Sequence, residues 1–119
     1  PYQERIRQIG EGIEKIIAKH RPETMAIEKL FFTANQKTAI RVAEARGVAI
    51  YLAAAAGMPV LEYTPLEIKA AVCGYGKADK KQIQNMVKML LKLKIMPEYD
   101  DATDALAGAL TAFSYQRLY

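Results

Sequence analysis

Glu28 and the pair Asp101 and Asp104 are the side chains best suited to chemistry in this sequence. Glu28 ends the apolar run Met25-Ala26-Ile27-Glu28, which reads as a buried strand. Asp101 and Asp104 open the stretch Asp101-Ala-Thr-Asp-Ala-Leu-Ala107, which reads as the first turns of a buried helix. Residues at i and i+3 share a helix face, so both acids can address one point. A carboxylate at the edge of a core is costly unless something compensates it. Three of them point to a divalent metal. Simpler roles exist for each acid: a helix N-terminal charge for Asp101, a solvent-facing residue for Asp104, a strand-end ion pair for Glu28.

Charge is unevenly placed around these acids. The net charge is +4, yet residues 1–68 hold nine basic and eight acidic side chains. Residues 69–94 hold seven lysines against one Asp, and residues 95–119 hold one Arg against four acids. A lysine-rich stretch before an acidic cluster suits a polyanion held beside a metal. A solvated helix face followed by a capped helix explains it too. The length of 119 residues fits one domain, and 51% hydrophobic with 25% charged residues is a globular composition. No apolar run reaches the ~18 residues of a membrane span, and no signal segment opens the chain. The lone Cys73 fits a reducing cytoplasm.

The elements that must position the acids follow from periodicity. Ile6, Ile9, Ile13, Ile16 and Ile17 predict an amphipathic helix over 2–19, ended by Pro22. Residues 25–31 predict a strand buried on both faces. Residues 36–56 predict a long helix, apolar on more than one face through Ala39, Ile40, Ala43, Val48, Ile50, Leu52 and Ala53–Ala56. Such a helix is sunk in a core or packs on another chain. Gly57 suits its C-terminal cap, Val60–Tyr63 a second strand, and Pro65 the start of a helix to about Val72. Gly74-Tyr-Gly-Lys77 reads as a flexible loop, and Asp79 as the acid that opens the next helix. That helix is expected to reach about Leu93 with Ile83, Val87, Leu90 and Leu91 inward, and a last helix to cover 101–116. Alternating strands and helices predict an α/β layer with parallel strands.

Five motifs now stand in order: Ala26-Ile-Glu-Lys-Leu-Phe31, Ala45-Arg-Gly-Val48, Gly74-Tyr-Gly-Lys-Ala-Asp-Lys80, Gln82-Ile-Gln-Asn-Met-Val87 and Asp101-Ala-Thr-Asp-Ala-Leu-Ala107. Together they closely resemble the RuvC-type Holliday-junction resolvases of bacteria, from about residue 4 to residue 113. The resemblance implies an α/β, ribonuclease-H-like fold with a mixed central sheet flanked by helices, and a single domain over 1–119. It implies a homodimer that cuts opposing strands of a four-way DNA junction, with Mg²⁺ or Mn²⁺ held by four carboxylates. Glu28, Asp101 and Asp104 match three of the four. Lys69 and Lys80 match lysines near the scissile phosphate, Lys80 with a catalytic role. Lys77 and Lys81 match more loosely, as phosphate contacts. Phe31 matches an aromatic that stacks on a base near the junction centre, with Phe32 as its buried neighbour.

One departure stands beside the matches. Family members open with a strand carrying Gly-Ile-Asp-Pro-Gly or similar, and these 119 residues contain no such motif. The expectation is therefore an N-terminally incomplete resolvase domain whose cleavage is weak. The alternatives are a non-catalytic junction-binding protein and another ribonuclease-H-like nuclease. The helix at about 36–56 matches the family's dimer helix, and a branch-migration motor is the further implied partner. Gly74 and Gly76 serve either close phosphate approach or a tight helix–helix turn. His20 reads as a helix-end residue and Cys73 as a packing residue.

Overall fold

The computed structural model describes residues 1–29 and 36–118. In chain order it forms α1 (Tyr2–His20), β1 (Met25–Glu28), α2 (Gln36–Ala55), β2 (Val60–Tyr63), α3 (Pro65–Cys73), α4 (Lys80–Leu90) and α5 (Asp100–Leu118). β1 and β2 pair in a two-stranded sheet. The Met25 N–H donates to Pro59 O and the Lys29 N–H to Tyr63 O, each at 2.9 Å. Both residue numbers rise together along the pair, which is the parallel register expected of strands joined through a helix. No helix among the described residues is long and apolar enough to cross a membrane.

The chain divides into two compact units. The first draws on Pro1–Met25 and Leu30–Val60 and contains α1 and α2, which pack on each other. At one end of that contact the Tyr2 hydroxyl donates to Glu44 Oε1 at 3.1 Å, while the Arg41 guanidinium lies 4.8 Å over the Tyr2 ring. Ala53 and Met58 are buried here, and Gly57 takes the left-handed conformation (φ 72°) that ends α2. Ile40 and Tyr51 remain 56% and 70% exposed, so α2 keeps an open apolar face.

The second unit draws on Ala26–Lys29 and Leu61–Tyr119 and holds the main core. Tyr63, Ile68, Val72, Val87, Ala107 and Ala112 are buried together, with Tyr63 stacked on Tyr115 at 5.2 Å. Two helix starts in this unit are built from local chemistry. Thr64 and Glu67 form a reciprocal capping box at α3, with Pro65 at the first helical position. Asp79 and Gln82 do the same at α4, both bonds 2.8 Å. Along α5, Thr103, Ala107 and Thr111 repeat every four residues and are buried, leaving the acids of that helix exposed.

Three expectations are corrected. β1 is half-buried rather than sunk on both faces, because β2 is its one hydrogen-bonded neighbour among the described residues. α4 stops at Leu90, short of Leu93, because Lys92 turns left-handed (φ 55°) and the Leu93 N–H reaches back to Lys88 O at 2.9 Å. That turn leaves Leu90 and Leu91 exposed rather than inward, while Val87 is fully buried.

Candidate active site

β1 and α5 bring together acids from opposite ends of the sequence. Glu28 stands at the carboxyl end of β1, where open parallel sheets place ligands, and Asp104 in the second turn of α5. Both line one open hollow with about 120 Å³ of room, together with Lys69 of α3 and the apolar Pro65, Ile68, Ile83 and Ala107. The capping box at Thr64 starts α3 directly after β2 and so sets where Lys69 stands. Burial pushes the Glu28 carboxyl above its ordinary value, the Asp104 charge pushes it further, and Lys69 pulls it back.

Asp101 is exposed in the first turn of α5 and is not among the residues that line the hollow. Among the described residues, no three Asp, Glu, His or Cys side chains are gathered closely enough to hold an ion. Glu28 and Asp104 line the same hollow, and Asp101 stands one helical turn away on α5.

Lys80 is the first residue of α4, and its Nζ lies 2.6 Å from Asp100 Oδ2. Asp100 raises the Lys80 ammonium above its ordinary value, with smaller contributions from Asp104 and Asp101. The Gln84 amide donates to the other Asp100 oxygen at 3.4 Å. The helix expected over 101–116 left Asp100 outside it, and this pairing was missed. The available signal was the doubled acid Asp100-Asp101 at a helix start, where carboxylates are favoured.

Lys77 and Lys81 are exposed on either side of the α4 start. Phe31 and Phe32 lie outside the described residues. The glycine turn resolves toward helix–helix geometry: Gly74 caps α3 with φ 87°, and a Cβ on Gly76 would lie 2.5 Å from Leu66 Cδ1. Cys73 packs against the core, and burial pushes its thiol up, which suits packing over nucleophilic chemistry. His20 lies in the last turn of α1, as expected.

Known proteins match this geometry and sequence. The family model described as crossover junction endodeoxyribonuclease RuvC matches residues 1–112. A protein of that name from Brevibacillus brevis is 52% identical over 107 residues, covering 90% of this chain and 64% of its own length. One from Moorella thermoacetica is 51% identical over 111 residues, covering 93% and 66%. This chain thus spans about two thirds of the length of these curated relatives. Among solved structures, Thermus thermophilus RuvC in complex with a Holliday junction substrate aligns with a TM-score of 0.93 at 36% identity, over 99% of this chain and 72% of the other. Another structure of Thermus thermophilus RuvC aligns with a TM-score of 0.91, also at 36% identity. The fold is that of these proteins, and the chain belongs to the crossover junction endodeoxyribonuclease RuvC family.

Proposed function

We propose that this chain forms a resolvase domain that cuts four-way (Holliday) DNA junctions by metal-dependent phosphodiester hydrolysis, in recombination and repair. The carrying observation is the Glu28–Asp104 pair in one hollow beside Lys69, in a chain of this family. The donor set fits Mg²⁺ or Mn²⁺. Mg²⁺ takes hard oxygen ligands and keeps several waters, so one or two carboxylates suffice. Burial and the Asp104 charge raise the Glu28 carboxyl, which supports a cation beside the two acids in this reading.

Glu28 and Asp104 hold the ion in this reading, with Asp101 supporting it from the same helix. A bound ion supplies Lewis acidity at the phosphate and lowers the pKa of a bound water. Lys69 and Lys80 draw the scissile phosphate in as point charges. Lys77 and Lys81 hold the flanking backbone, and Phe31 stacks on a base. The apolar Ile68, Ile83 and Ala107 line the hollow beside the acids.

The protein acts as a homodimer through the 36–56 helix. Ile40, Gly47, Tyr51 and Ala54 follow one stripe of α2 and are all exposed, and nothing lies within 4 Å of a Cβ built on Gly47. A two-fold dimer matches a substrate with two equivalent strands. A branch-migration motor acting on the same junction is the partner the family resemblance suggests, in the cytoplasm.

The test is cleavage of synthetic four-way junctions by the full-length protein in Mg²⁺. Paired nicks in opposing strands are expected, with preference over linear duplex and RNA–DNA hybrid. Tight junction binding without any nicking would favour a non-catalytic binder instead. Equal activity on hybrids would favour a general ribonuclease-H-like nuclease.

A further inference from the structure

We propose that Asp100 is a positioning residue for Lys80: its carboxylate fixes where the Lys80 ammonium stands, and Gln84 fixes the carboxylate. This rests on the nuclease reading of Lys80 given above. The pair joins two helices, with Lys80 and Gln84 on α4 and Asp100 at the start of α5. The Asp79 capping box sets the backbone of Lys80 but not its flexible four-carbon side chain. Asp100 Oδ2, 2.6 Å from Nζ, does that. Gln84 stands one turn after Lys80 on the same face, and its amide reaches Asp100 Oδ1 at 3.4 Å. Asp100 takes one of the three ammonium donors and leaves two for phosphate oxygens.

Stability explains this arrangement poorly. Both side chains are 60% exposed, and an ion pair so open to solvent contributes little to folding. Affinity explains it worse, since a carboxylate beside a phosphate-binding lysine repels the polyanion. Positioning accounts for both features. It also predicts an unusual combination: removing Asp100 slows the chemistry without weakening the binding.

The experiment compares Asp100→Ala with the parent in the full-length protein. Junction affinity is measured without metal, single-turnover cleavage with Mg²⁺, and stability by thermal melting. The expected result is cleavage slower by about tenfold, unchanged or tighter binding, and a melting temperature within about 1 °C of the parent. Asp100→Glu should recover part of the rate. Adding Asp100→Ala to Lys80→Ala should cost nothing further, because one residue acts through the other. An unchanged or faster rate overturns the proposal, as does a loss of rate shared by affinity and melting, or additive losses in the double variant. Cleavage unaffected by Lys80→Ala but abolished by Glu28→Gln would sink this inference and leave the nuclease reading standing. Should the parent itself not cleave, the nuclease reading fails separately. The Lys80 side-chain resonances then decide the pairing: a shift on Asp100→Ala supports it, and none overturns it.

Discussion

Glu28 carries its charge at a cost, because burial and the Asp104 carboxylate both oppose ionisation. An acid with a raised folded pKa binds its proton more tightly in the folded chain than in the unfolded one. Its contribution is therefore most favourable below the unfolded value, about 4.3 for glutamate, and is lost as pH rises through the folded value. Glu28→Gln should then melt higher than the parent at pH 7, by a shift on the order of 1 °C, since solvent at this exposed residue screens much of the effect. The gap should close below pH about 4, and the variant should not cleave junctions. Mg²⁺ titrated into the protein should raise the melting temperature of the parent and not of Glu28→Gln, since an ion held only by the folded state stabilises it by mass action. Equal shifts in both proteins would place the ion elsewhere. At this scale the sequence was legible for residue identity and less so for geometry. Asp101 and Asp104 share helical spacing, yet Asp104 lines the hollow and Asp101 does not. Asp100 carried no periodic signal at all, and its partner Lys80 stands twenty positions away in the chain, a pairing that only tertiary structure creates.

α4 shows why elements were legible in their starts and less in their ends. Its start rests on a short local code, Asp79 with Gln82 three residues on, and the structure forms both bonds. Its end rests on Lys92 adopting a left-handed conformation, which glycine and asparagine signal and lysine does not. β1 was legible as a strand but not in burial, because burial depends on neighbours that no local pattern reveals. Two substitutions separate the forces on α4. Asp79→Ala removes the cap and should cost about 1 kcal/mol in urea unfolding, with Asp79→Asn close to the parent. Val87 is fully buried within the main core, so Val87→Ala should cost about 2–3 kcal/mol, from lost transfer energy and the cavity left behind. The cap variant should also slow junction cleavage more than its stability loss warrants, because Lys80 is the first residue that the cap places.

Across the whole chain, the basic excess and the exposed apolar surface fall in different segments. The basic excess sits in residues 69–94, which carry Lys69, Lys77, Lys80 and Lys81, while the exposed apolar stripe of α2 lies outside that segment. Sequence alone could show that α2 was too apolar for a solvated helix, but not which way its excess faced. The structure leaves Tyr51 70% exposed and Ile40 56% exposed, so the surplus is available to a second copy. In a two-fold interface each substitution acts twice, once per protomer, so a charge there is doubly unfavourable. Tyr51→Lys should therefore shift the protein from dimer to monomer in sedimentation at tens of micromolar, with no loss of secondary structure because the side chain packs on little within its own chain. Cleavage should change in kind as well as amount: single nicks replacing paired ones, since each cut would need an independent encounter. A Tyr51→Lys protein that still sediments as a dimer and still cuts in pairs would move the interface to another face of the molecule.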